Sequence, residues 1–137
     1  MRTRATFRLS CPPGRTGAEV SARVGVAASR VSEAGDEVSS RSTGVRERAL
    51  WVLSSAQEPQ DGVELAESLQ VVLTHLEPVA SLLWKLVREG YEADWFCLVG
   101  SHACEHAVEL DRDLLARLLT LPGQLLLDVY ADDDDES

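Results

Sequence analysis

The 137-residue sequence predicts an α+β fold, a mainly antiparallel sheet with helices packed on one face, and three observations carry that prediction. Leu65, Leu69, Val72, Leu73, Leu76, Val79, Ala80, Leu83, Leu86 and Val87 recur at steps of three and four, which draws one apolar stripe along a long helix. Several shorter runs alternate apolar with polar residues, as half-buried strands do. Helical and strand patterns interleave without a regular parallel repeat, and Cys11-Pro12-Pro13-Gly14-Arg15-Thr16-Gly17 matches neither a dinucleotide fingerprint nor a phosphate-binding loop. A ferredoxin-like split βαβ core is the expected topology, and an open α/β sheet is the alternative. Residues 1–131 are read as a single domain, long enough to hide roughly two-thirds of the unfolded surface without staples. Residues 132–137, with Asp132 to Glu136 all acidic, read as a solvated tail.

In chain order, Ala5 to Ser10 alternates as a strand with Ala5, Phe7 and Leu9 turned to the core, and Cys11-Pro12-Pro13-Gly14 ends it. Thr16 or Gly17 starts a short helix that buries Val20, Val24 and Val26 and stops near Gly25. Ala27 to Arg48 is polar and serine-rich, a surface excursion with one weak strand around Ser29 to Glu33. Ala49 to Ser55 restores apolar density as a strand, and Gln57 to Gly62 turns into the long helix. Asp61 is the expected N-cap of that helix, with Glu64 as its capping-box partner and Gly90 as its stop. Pro78 lies within the stripe, where it lacks a donor and crowds the carbonyl of Thr74, so the helix kinks there or splits.

Ala93 to Val99 is apolar on both sides of the pleat, the mark of a central strand covered on at least one face. Ala107 to Leu110 is expected to pair back as an antiparallel hairpin. Asp111 then caps a helix over Arg112 to Leu121, Pro122 and Gly123 close it, and Gln124 to Tyr130 forms the last strand.

Composition narrows the function classes. A formal charge of −10 argues against nucleic-acid binding, since such proteins present a basic face to phosphates, and favours a basic protein partner over an acidic one. No run reaches the length of a membrane span, and the basic N-terminus is followed by no apolar signal core, so no membrane association is expected. The three cysteines, Cys11, Cys97 and Cys104, are odd in number and widely spaced, which suits a reducing cytoplasm. Lys85 is the single lysine beside twelve arginines among the 13 basic residues, a bias that points to a GC-rich genome and to no site.

Ala-Thr-Phe-Arg-Leu-Ser at Ala5 to Ser10, Ala-Gly-Asp at Ala34 to Asp36, Ala49 to Ser55, His75 to Cys97, Val108 to Leu118 and Leu125 to Tyr130 together resemble the bacterial family called domain of unknown function 4279. The resemblance spans nearly the whole chain. Val31 stands where relatives tend to carry an aromatic residue before the Gly-Asp pair. The resemblance implies one small domain and supplies no mechanism.

The sharpest chemical constellation is His102, Cys104 and His106, three metal-capable side chains on one face of an extended segment, with Cys97 as a fourth ligand. Paired C-x-x-C knuckles are absent, and a hairpin loop with buried Cys97 and exposed histidines is the commoner arrangement. Cys97 within an apolar strand would have a raised thiol pKa and be inert as a nucleophile. No cofactor motif is present. Asp94, flanking Trp95, and Trp84, off the main helical stripe, are the candidate binding residues.

Two function classes compete. One is a non-enzymatic protein-binding or immunity-type protein that meets a basic partner. The other is a small-molecule-binding or catalytic domain using the sheet face near Asp94 and Cys97, joined by His102. Metal binding is a third, weaker class.

Overall fold

The computed structural model describes residues 1–35, 47–101 and 107–131. Its strands are β1 (Arg2–Ser10), β2 (Arg30–Ser32), β3 (Leu50–Ser54), β4 (Gln60–Asp61), β5 (Glu92–Ser101) and β6 (Gln124–Ala131). The helices are α1 (Gly17–Val24), α2 (Leu65–Leu76), α3 (Ala80–Arg88) and α4 (Arg112–Leu119). They build an α+β domain around a mixed sheet in the order β2-β3-β1-β5-β6, with β4 pairing to β1.

β1 lies antiparallel between β3 and β5, with Phe7 opposite both Leu53 and Trp95. β1 thus separates β3 from β5, while β3 separates β1 from β2. Alternation sends Ala5, Phe7 and Leu9 of β1, Trp51 and Leu53 of β3, and Trp95, Cys97 and Val99 of β5 to one face, where all are buried. Phe7 packs edge-on against Trp51 and Trp95, with centroids 6.5 and 5.2 Å away. Leu65, Leu69, Val72, Leu73, Leu76, Leu83 and Leu86 close over this face, as the helical stripe predicts. Each such burial contributes about 1.5–3 kcal/mol of hydrophobic driving force.

The long helix is split at Pro78: a 3-10 turn, Glu77–Val79, joins α2 to α3. Arg117 on α4 grips Glu77 in that turn with two bonds of 2.9 and 2.8 Å. Arg23 on α1 grips Glu89, just past α3, in the same way. α1 starts from a capping box in which Thr16 Oγ1 accepts from the Glu19 N–H and Glu19 accepts from the Thr16 N–H, and Gly25 ends it in the left-handed conformation. Asp111 caps α4 as expected, accepting from the Leu114 N–H at 2.8 Å.

Three expectations are corrected. The N-cap of α2 is Glu64 in a capping box with Glu67, because Asp61 is drawn into β4 opposite Arg2 and ion-paired with it. Residues 107–110 form no strand. β5 instead takes β6 as a parallel neighbour, and α4 makes the crossover that parallel pairing requires. The two-residue strand β4 has no counterpart in the sequence reading, since Pro59 and Gly62 mark that stretch as a turn. Among the described residues no helix is long and apolar enough to cross a membrane.

Candidate functional site

With the described helices on one face, the opposite face of the sheet carries no described helix. The residues between the core positions of β1, namely Arg4, Thr6 and Arg8, point there, as do Ser54 of β3 and Asp94, Phe96 and Leu98 of β5. Arg8 stands opposite Asp94 in register and donates to it from Nε at 2.7 Å and from Nη2 at 2.9 Å. Its guanidinium also lies 4.7 Å from the centre of the Phe96 ring.

Two clefts open on either side of this ion pair. The first, of about 680 Å³, has Arg8, Glu92, Asp94, Trp84, Pro122 and Gln124 among its lining residues. The fold therefore brings Asp94 and Trp84, the two candidate binding residues, to one cleft. Trp84 is 39% exposed, and its Nε1 donates to the Thr120 carbonyl at 2.9 Å. Asp94 is held by Arg8.

The second cleft, of about 630 Å³, is lined by Arg4, Thr6, Arg8, Arg30, Ser54 and Phe96 among others, and among the described residues no carboxylate belongs to its wall. The hydroxyls of Thr6 and Ser54 are 3.0 Å apart on its floor. Arg4 donates from Nη1 to the Gln57 carbonyl at 2.7 Å, while its buried Nε has no hydrogen-bond partner. A buried donor left so costs about 1–3 kcal/mol. The side chain of Arg30, exposed on β2, makes no ion pair or hydrogen bond among the described residues, unlike those of Arg2, Arg8, Arg23, Arg48 and Arg117.

Cys97 and Asp94 do not share a site. They are three residues apart on one strand, so Asp94 faces the uncovered side and Cys97 the core. Burial pushes the Cys97 thiol up to about 12, against a smaller opposing effect of a hydrogen bond from the Thr6 backbone. Cys11 is pushed up to about 11, first by burial and then by the carboxylates of Glu33 and Glu19. His102, Cys104 and His106 lie outside the described residues, as does the acidic tail 132–137. Among the described residues no three His, Cys, Asp or Glu side chains are grouped to hold a metal ion.

The arginine cleft is the feature that the sequence reading missed. Arg4 and Arg8 alternate with Ala5, Phe7 and Leu9, which marks them as facing away from the core, but the proximity of Arg30 arises only through pairing of β2 with β3 and of β3 with β1.

The sheet ends on a second notable surface. Among the described strands β6 pairs only with β5, so its outer edge is unpaired over eight residues. Leu125, Leu127 and Val129 project on one side of that edge strand and Leu126 on the other, all exposed, with Val129 at 68%. Leu119, at the end of α4, is 80% exposed.

These features define an α+β domain with a helix-covered core, an arginine-bearing open sheet face and an apolar strand edge. The chain belongs to the family described as Domain of unknown function (DUF4279), whose profile matches residues 1–132. No curated protein and no solved structure matches it.

Proposed function

We infer that this chain is a non-enzymatic, immunity-type protein-binding domain whose partner attaches along the outer edge of β6. One observation carries the reading: an eight-residue edge strand, apolar on the face of Leu125, Leu127 and Val129 and bearing Leu126 on the other, contains neither proline nor a basic residue and a single charge, Asp128. Edge strands offer a row of unpaired N–H and C=O groups to any incoming strand, and proteins that avoid such pairing blunt their edges with lysine, proline or bulges. β6 has the features that strand addition uses, main-chain bonding for affinity and alternate side chains for selectivity. The net charge of −10 favours a basic partner by steering it at long range. The buried, protonated thiols of Cys11 and Cys97 are poor nucleophiles, which supports a binding role over thiol catalysis, and their free state suits a reducing cytoplasm.

The test is capture from the native cell with the full chain as bait, followed by reconstitution with the purified partner. Wild-type chain should retain a basic protein that Leu127→Lys and Val129→Lys both lose. Both positions are exposed, so thermal melting of the two variants should stay close to wild type. Retention of the same partner by both variants would refute the reading.

A further inference from the structure

The arginine cleft on the uncovered sheet face is independent of the β6 edge and makes a different chemical offer. A chain carrying ten more negative than positive charges places three guanidinium groups around one concave surface with no carboxylate among the described residues of its wall. Asp94 engages Arg8 from outside that wall, and among the described residues Arg4 and Arg30 have no counter-charge. The Nε donor of Arg4 is buried and lacks an acceptor, and no described residue engages the donor fork of Arg30. Beside them the hydrogen-bonded pair of Thr6 and Ser54 hydroxyls has one O–H left to donate, and Phe96 supplies a ring for apolar contact.

We propose that this cleft binds a small ligand that carries an oxyanion, carboxylate or phosphate, on an aromatic or apolar body. Guanidinium forks match the spacing of two oxyanion oxygens and bond them in pairs, a geometry that lysine does not reproduce. The oxyanion sits between Arg4 and Arg30, and the body lies along Phe96 and Val52. Arg8 is fixed by Asp94 and forms part of the wall, with its charge already matched. Chloride or bulk anions lack the body, so selectivity comes from the ring contact, and affinity falls as salt rises because the attraction of Arg4 and Arg30 for the oxyanion is screened.

The experiment is a titration of the full chain, followed by amide chemical shifts, with phenyl phosphate and benzoate as probes and with inorganic phosphate and acetate as body-free controls. The expected result is saturable shifts at Arg4, Thr6, Arg30 and Ser54 with at least one aromatic probe, several-fold weaker binding of the matching control, and loss of affinity in added salt. Preference between the two aromatic probes assigns the oxyanion as phosphate or carboxylate. Arg30→Ala should weaken binding about ten-fold, equivalent to about 1.4 kcal/mol, and Arg30→Lys should restore only part of it. Arg4→Gln should weaken it independently. Arg88→Glu, which makes a larger charge change at the exposed end of α3, should leave it within about two-fold. Absence of saturable shifts with both aromatic probes, or saturation that Arg30→Ala leaves unchanged, would overturn the proposal.

Discussion

Arg8 and Asp94 stand opposite each other on β1 and β5 and are joined by two nearly parallel hydrogen bonds of 2.7 and 2.9 Å, a clamp that divides the uncovered sheet face into two clefts. About a third of each side chain is exposed, so solvent screens the pair, and Asp94→Asn should cost about 1 kcal/mol of stability or less. The same substitution releases the Arg8 guanidinium toward the arginine cleft. Urea denaturation should therefore show a small loss of stability, while binding of aromatic oxyanions becomes tighter. Weaker binding in Asp94→Asn would mean that the carboxylate itself contacts the ligand.

The two described thiols make stability depend on alkaline pH. Each has an ordinary value of 9.0 and is pushed up in the folded chain, Cys11 to about 11 and Cys97 to about 12, with burial the leading cause in both. The folded state thus keeps protons that the unfolded chain releases first. The contribution is complete below pH 9.0 and is lost as pH climbs toward 11 for Cys11 and 12 for Cys97. Denaturation midpoints should hold steady from pH 7 to pH 8.5 and fall above pH 9. Cys97→Ala should flatten that fall, and alkylation at pH 8 should leave the peptides containing Cys11 and Cys97 unmodified until the chain is unfolded.

Gly123 turns the chain from α4 into β6 with φ at +110°, and a Cβ there would lie 3.1 Å from the backbone of Ala93 and Asp94. Both the dihedral and the close approach require glycine. Gly123→Ala should destabilise the domain by about 1–3 kcal/mol, a magnitude typical of strain at such a position. Because β6 is the strand displaced, hydrogen exchange in Gly123→Ala should accelerate in residues 124–131 before it does in β1. Uniform acceleration across the whole sheet would contradict that order.

Much of the core was legible without coordinates. Phe7, Trp51 and Trp95 fall on the buried side of their strands as alternation requires, and the stripe from Leu65 to Leu86 covers them as a 3.6-residue period requires. The break at Pro78 was legible too, because a missing N–H is a local covalent fact. The site was less legible. Asp94 and Trp84 do share a cleft, but Arg4 and Arg30 are two of twelve arginines whose abundance points to no site in the sequence. The expected hairpin at residues 107–110 failed for a related reason: a short apolar stretch signals a strand without saying whether any edge is free to accept it.

What the sequence determined by itself is the inward or outward sense of each residue, the helix stops and most caps, since these follow from dihedral preferences and periodicities that span only a few neighbours. What the tertiary structure alone decided is who pairs with whom: β6 parallel to β5 rather than a hairpin, Asp61 in a strand rather than a cap, and Arg30 in line with Arg8 across two intervening pairings, in one cleft with Arg4. A strand's alternation is the same whichever neighbour it takes. Register and order are set by contacts between residues tens of positions apart, and the open cleft exists only once those contacts have formed.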